Sequence, residues 1–299
     1  MAQQLVNAIW LGSVYSLFAL GYALVFSVLG VLNLAHSAVF MWGAWIGLIV
    51  VTEIGQPLWV AIPAAMIGSG LISYALERTA FAPLRARNAP RISQLISSIG
   101  ASFFLVSLAQ LVFGTNPERF PIGIIATDPI LIGATAETAA TIRIAPIQII
   151  VLIVAVVLMA LLNILIARTR LGQRMRAVAF NQRTAALLGI NVNAIYTITF
   201  FLAGALAGAA GVLYALAYNQ ITPFIGETIA LKGLTVIVLG GLGNIQGALV
   251  GGFVVAGLEV FSVAAGGSNY REAIVFALLF VILLVRPQGL IGQKEQTRA

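Results

Sequence analysis

Apolar residues run almost unbroken for long stretches, and scattered Pro, Gly and charged positions divide them into segments near 5–29, 36–51, 57–77, 92–114, 146–167, 194–218, 228–240, 246–265 and 272–286. Most approach or exceed the ~20 apolar residues that carry an α-helix across the hydrocarbon core of a bilayer. None shows the period-2 alternation of a transmembrane barrel strand. The pattern predicts an all-α integral membrane protein, a polytopic bundle of about eight or nine transmembrane segments with interrupted helices. Segment 228–240 is short for a crossing and glycine-rich at its end, so it either crosses or re-enters as a half-helix; irregular backbone at that depth must be covered by protein or line a water-filled cavity.

Two stretches resemble each other. VLGVLNLAHSAVF (28–40) and VLGGLGNIQGALV (238–250) share VLG, a following Leu, an Asn and then a small-residue apolar run, with one residue inserted to align them. One reading is coincidence among helices rich in Gly, Leu and Val. The other is that each half of the chain carries an interrupted helix at a corresponding place, which in repeat-built transporters marks the substrate path.

Charge sets the orientation. The loop RTAFAPLRARNAPR (78–91) holds four arginines and the stretch from Arg168 to Arg183 holds five, while Arg286, Lys294 and Arg298 follow the last span. The positive-inside rule places all three in the cytoplasm. The loop at 115–145 has two arginines against three acidic residues and is rich in Pro, Gly and Thr, so it faces outward. An outside N-terminus, a cytoplasmic C-terminus and nine crossings satisfy these assignments together, within one membrane domain over 1–299. The first span follows only MAQQ, without a basic leader or a small-residue cleavage site, and is expected to be retained.

Composition removes other classes. The chain is 61% hydrophobic and 8% charged, and its net charge of +7 lies beside apolar spans, where it sets topology and does not indicate nucleic acid. It has no cysteine, one histidine and no G-x-x-x-x-G-K-[ST] loop, which excludes disulfides, multi-histidine metal sites, thiol nucleophiles and a P-loop nucleotide site. An intramembrane enzyme finds no set of catalytic residues here, and no cofactor is expected in the chain.

Ionisable groups within spans cost about 2.5–3.5 kcal/mol on insertion scales, so each needs a reason. Glu259 lies in the outer half of its span. Lys232, with Glu227 just before it, is expected to snorkel to the outer interface; the sharper alternative is a Lys232–Glu259 pair that closes the outer side of the bundle. His36, at the cytoplasmic start of its span, reads as a capping or hydrogen-bonding residue. Asn33 and Asn244 are candidates for satisfying backbone groups freed at helix breaks, and Asn163 for an interhelical hydrogen bond. Together Asn33, His36, Asn244, Lys232 and Glu259 are the candidate substrate-path residues.

The stretch RMRAVAFNQRTAALLGI (174–190) is a basic connection with a small-residue helical pattern. Topology alone requires only the charge. Ala177, Ala185 and Ala186 favour helix and close approach, Gly189 is a helix stop, and Arg174, Arg176 and Arg183 suit acidic partners. A helix docking a cytoplasmic partner accounts for both features.

TRLGQRMRAVAFNQRTAALLGINV (169–192) resembles the cytoplasmic segment of the permease subunits of branched-chain (hydrophobic) amino acid ABC importers. Asn33-Leu34-Ala35-His36-Ser37, the VLGGLG run from Val238 to Gly243, and Arg286, Pro287, Gly289 and Leu290 resemble further motifs of that family, in the expected order over nearly the whole chain. Ser37 and Ala38 stand where Gly-Glu is expected, so no role of that carboxylate carries over. The resemblance implies a coupling segment over about 169–193, formed by Arg176, Ala177, Asn181, Ala185, Ala186, Gly189 and Ile190, that seats small side chains in a groove of an ATP-binding subunit. It also implies a second permease subunit, identical or related, a periplasmic substrate-binding protein, ATP and Mg held by the partner ATPases, and residence in a bacterial inner membrane. Urea or short amides are alternative cargo for the same architecture. An ATP-independent secondary transporter is the alternative mechanism, and the docking-type basic segment argues against it.

Overall fold

A computed structural model describes residues 1–299 except 122, 125–129, 133–141, 287 and 292–299. Much of the outer loop, together with Pro287, Lys294 and Arg298, therefore lies outside the described residues. The helices are α1 (Ala2–Leu29), α2 (His36–Thr52), α3 (Leu58–Leu76), α4 (Ala82–Ala86), α5 (Arg91–Phe113), α6 (Pro146–Arg168), α7 (Arg170–Phe180), α8 (Gln182–Leu187), α9 (Val192–Tyr218), α10 (Ile225–Gly240), α11 (Ile245–Ala264) and α12 (Arg271–Val285). Among the described residues, six helical stretches are long and apolar enough to cross a membrane: α1, α3 continued through α4, α5, α6, α9 and α11. Between α5 and α6 an antiparallel hairpin pairs β1 (Ile130–Ile132) with β2 (Ile142–Ile144), Leu131 facing Arg143. Among the described residues it is a small addition to an otherwise helical architecture.

The arginine-rich stretch expected as a loop over 78–91 is helical as far as Ala86. A single π-helical turn, Glu77–Phe81, joins α3 to α4, with the Ala82 N–H donating to the Glu77 carbonyl five residues back. Pro83 supplies the reason: it has no N–H to give, and its ring conflicts with a regular preceding turn, which a π turn relieves.

Helices α1 and α9 form the interior, each with 83% of its apolar window buried, against 17% for α5 and 22% for α6 at the periphery. Lipid supplies no hydrophobic force between helices, so contact depends on close backbone approach through small residues. Along α9 this is literal. A Cβ on Gly204 would lie 2.6 Å from the Ser69 carbonyl oxygen and one on Gly208 2.6 Å from that of Ala65, both in α3, while a Cβ on Gly211 would collide with the Phe40 carbonyl of α2. Similarly, Gly240 of α10 abuts Gly247 of α11.

Helix α2 begins deep in the bundle, not at its cytoplasmic edge as the sequence suggested. Its first residue, His36, packs on Phe18, 11 positions before the end of α1 and hence about 16 Å along it. Residues 30–35 make that passage as irregular backbone that closes in a turn from Asn33 to His36. Leu34 N–H donates to Ser98 Oγ of α5, 3.2 Å away, so the irregular backbone is covered by protein. The second repeat-like stretch behaves differently. Residues 241–244 form a tight turn between α10 and α11 beside Phe26 and Ser27, at the end of α1, so the two breaks are not equivalent. The irregular passage near α10 lies instead before it, at 219–224, and its first turn sets Gly226 against the Ser37 carbonyl at the start of α2.

Contacts define two ends. At one, Gln3 exchanges hydrogen bonds with the Arg143 backbone at 2.8 and 3.0 Å, Glu118 pairs with Ile221, and the Asn219 side chain accepts from Phe120 N–H. At the other, Arg91 approaches Gly30, Arg85 bonds Asn193 and Asn244 bonds Ile291.

Gly211→Val should overpack the α2–α9 crossing at a cost of about 1–3 kcal/mol or more. Thermal unfolding of the detergent-solubilised protein should show a lower Tm and a smaller monodisperse yield, whereas Gly257→Ala, whose Cβ meets nothing within 4 Å, should match wild type.

Candidate functional site

Four candidate places emerge, and the sequence pointed to three. The first is a buried ionic cluster where α1, α10 and α11 meet. Lys232 Nζ lies 2.7 Å from Glu259 Oε1 and donates at 2.9 Å to the Tyr15 hydroxyl, which in turn donates to Glu259 Oε2 at 2.9 Å. Arg271 Nε adds a longer contact to Glu259 Oε1 at 3.4 Å. Lys232 and Glu259 are 6% and 2% exposed, so Lys232 does not snorkel as expected; the pair forms instead. The physical reason is mutual: either charge alone in the interior carries a large desolvation penalty, and a hydrogen-bonded pair offsets it. Glu227 remains exposed.

The second place is the deep break before α2. His36 is fully buried, its Nε2 3.3 Å from the Phe18 carbonyl oxygen and its ring between Phe18 and Tyr22, each centroid 4.9 Å away. Gly21 makes room, because a Cβ there would fall 2.7 Å from the imidazole. Asn33, also fully buried, accepts the Ala35 N–H on its side chain and the His36 N–H on its carbonyl, which closes the turn into α2. Asn244 does comparable work at the bundle end and not at depth: Oδ1 caps α11 at Gly247 N–H and Nδ2 donates to the Ile291 carbonyl at 2.8 Å. These two asparagines hold turns; the structure does not bring them together with Lys232 and Glu259.

The third place is the 169–193 segment. It is two helices, not one. Thr169 caps α7, Asn181 ends α7 and caps α8 through Thr184 N–H at 2.9 Å, and Asn191 caps α9. Arg176 donates to the Ile166 carbonyl at the end of α6, which satisfies a last-turn group that lacks an intrahelical partner. Gly189 has φ +80°, the left-handed stop expected of it. Ala185, expected to face a partner, is 2% exposed and packs inward with Val25, Val28 and Met175, and Ala177 and Ile190 pack against the same cluster. Ala186 and Gly189 face outward, flanking Leu187 and Leu188, which are 82% and 76% exposed, with Phe180 also exposed. The outward surface is thus more apolar than small. Two adjacent leucines inside a basic connection were the signal available in the sequence.

The fourth place was missed. Glu77, at the junction of α3 and the π turn, lies in the interior, 1% exposed, where it accepts from Arg85 Nη2 at 2.6 Å and from Thr197 Oγ1 at 3.1 Å. Arg85 also lies over the Tyr196 ring at 4.3 Å and bonds Asn193 at 3.3 Å. The cluster therefore clamps the first turns of α9, directly after the basic segment, to the end of α3. It was hidden because Glu77 and Arg85 are paired only by the extra residue of the π turn.

These features define a polytopic helical membrane protein with charges buried in pairs and a basic amphipathic element at one end, an arrangement of a transport subunit. Residues 4–283 match the family described as branched-chain amino acid transport system / permease component, and the chain belongs to that family. It is 34% identical to the high-affinity branched-chain amino acid transport system permease protein LivH of Salmonella typhimurium and 36% to its counterpart BraD of Pseudomonas aeruginosa, in each case over 98% of this chain and 96% of the relative. It is also 32% identical to the ribose import permease protein RbsC of Escherichia coli, over 43% of this chain and 40% of that one. It is a permease component and not an enzyme.

Lys232→Met or Glu259→Gln alone should lower stability by about 3–5 kcal/mol, because each leaves a buried partner uncompensated, while the double change to apolar residues should recover most of it. A double-mutant cycle on Tm and folded yield measures this; strictly additive losses would contradict the pair. Glu77→Gln should loosen the α3–α9 clamp, weakening a charge-assisted bond of about 1.5–3 kcal/mol. Faster hydrogen exchange at 192–197 in the variant than in wild type would show it.

Proposed function

We propose that this chain is the membrane-spanning permease of an ATP-binding cassette importer for branched-chain amino acids. The observation that carries the reading beyond the family is the solvent-facing Leu187-Leu188 pair at the end of α8, held by the Asn181 cap, the Gly189 stop and the inward-packed Ala185 at the arginine-rich end of the bundle. Exposed leucines beside Arg183 suit insertion into a groove on a soluble partner, here an ATP-binding subunit that holds ATP and Mg. The arginines at 78–91 and 168–183 gather at that end, which supports its placement in the cytoplasm and the N-terminus outside.

On this reading α1, the α3–α4 rod, α5, α6, α9 and α11 cross fully, and the shorter α2, α10 and α12 complete nine crossings, with α2 discontinuous at its inner side. The whole chain forms one domain that pairs with a second permease, identical or related, so that two coupling elements meet two ATPases. A periplasmic binding protein delivers substrate at the end bearing β1–β2. Closure of the ATPases moves α7–α8 as a unit, and the Glu77–Arg85 clamp carries that movement from the start of α9 into α3. Transport follows as a population shift between inward-open and outward-open bundles.

Affinity capture of the tagged chain in mild detergent should retain ATP-binding subunits and ATPase activity. Leu187→Asp with Leu188→Asp, or Ala186→Trp, should reduce retention at least tenfold while leaving Tm unchanged; Ala185→Trp should instead lower Tm. Leucine uptake in vesicles without ATP, with no ATPase captured, would establish the secondary-transporter mechanism instead.

A further inference from the structure

A mainly apolar cavity with several charged groups on its wall adjoins the Lys232–Glu259 cluster. It lies between α10, α11 and α12, has a volume of about 240 Å³, and is lined in part by Glu227, Leu231, Lys232, Arg271, Val275 and Phe276. This is below the roughly 300–1,000 Å³ of pockets for drug-sized ligands, so it suits a small solute. Glu227 on its wall follows shortly after Ile221, which pairs with Glu118 at the end where substrate arrives on the reading above.

Its charges are unevenly satisfied. Lys232 has two short partners, but Glu259 is a single carboxylate facing two cations. Arg271 is left with contacts of 3.4 Å to Glu259 and 3.9 Å to the exposed Glu272, both longer than the 2.7–2.9 Å of a strong charge-assisted bond. A guanidinium has five N–H donors, and among the described residues the Arg271 side chain makes no hydrogen bond. Across the cavity Glu227, in the first turn of α10, is exposed and forms no ion pair among the described residues. An isolated phosphate would meet three carboxylates here, and a simple amine would leave Arg271 unanswered. A zwitterion answers both.

We propose that this cavity is an amino-acid site within the permease itself: the Arg271 guanidinium, backed by Lys232, receives the substrate carboxylate, Glu227 receives its ammonium, and Leu231, Val275 and Phe276 receive an aliphatic side chain. The assignment rests on the branched-chain amino acid reading and gives it contacting residues. The Lys232–Glu259–Tyr15 cluster forms the fixed floor of the site, while Arg271, half-exposed at the start of α12, is the group free to turn toward substrate.

The test uses the intact transporter. Equilibrium binding of radiolabelled leucine to the solubilised permease–ATPase complex, without binding protein, is measured for wild type, Arg271→Gln and Glu227→Gln, with leucine uptake by wild-type proteoliposomes supplied with binding protein and ATP measured in parallel. Each substitution should weaken leucine binding at least tenfold with Tm unchanged. Competition supplies a readout that a merely structural role would not move. Wild type should prefer leucine over 3-methylbutylamine, which lacks the carboxylate, and Arg271→Gln should abolish that preference; 4-methylpentanoate, which lacks the ammonium, should show the same pattern with Glu227→Gln. Leucine uptake by wild type together with unchanged binding in both variants would overturn the site alone. Copurified phosphatidylethanolamine that is lost from Arg271→Gln and not displaced by leucine would overturn it in favour of a lipid headgroup. Absence of leucine uptake by wild type would overturn the substrate reading, and the site with it.

Discussion

Backbone contact along the small-residue face of α9 sets the position of nearly everything else. Gly204, Gly208 and Gly211 leave no side chain between α9 and its neighbours α3 and α2, so those helices are fixed at the shortest approach that peptide groups allow. In a bilayer this closeness matters more than in water, because dispersion and weak polar contacts must replace the hydrophobic drive between helices. One consequence is that α2 is held from its side by α9 and α3, which allows it to begin at mid-depth with no helical connection to α1. A second is that Glu77, at the end of α3, is delivered to the first turns of α9.

Among the described residues, each buried charge, Glu77, Lys232 and Glu259, is met by one of opposite sign. The two buried clusters lie toward opposite ends: Glu77 with Arg85 beside the basic segment, and Lys232 with Glu259 and Tyr15 toward the end carrying the hairpin. Both join separate helices, α3 to α9 in one case and α1, α10 and α11 in the other. A low-dielectric surrounding makes such links strong when intact and expensive when broken. They are suited to hold rigid bodies together while the bundle moves around them, and in the proposed transport cycle they mark the input from the ATPases and the surface first met by substrate.

Irregular backbone follows the same rule. The 30–35 passage is tolerated in the interior because Ser98, Asn33 and the packed ring of His36 cover it, and the start of α10 meets the start of α2 at Gly226 and Ser37. Two helix N-termini therefore converge inside the bundle. Only a protein-lined interior permits this, since hydrocarbon would leave their free N–H groups unanswered.

The sequence by itself determined the class, most of the apolar segments and the family, because span length, loop charge and ordered motifs are local properties of the chain. It also determined Gly189 as punctuation, since a left-handed stop acts within a few residues, while the Asn181 and Asn191 caps came to light only in the structure. It raised the Lys232–Glu259 pair as one alternative, and only the tertiary structure decided it, by bringing residues 27 positions apart to 2.7 Å and adding Tyr15 from the first helix. The depth of His36, the inward turn of Ala185, the inequivalence of the two VLG stretches and the Glu77–Arg85 clamp were decided there as well. Each depends on where one helix lies along another, or on a single extra residue in a turn. Periodicity carries no information about either: it says which segments leave water, whereas contact between small-residue faces says at what height they meet.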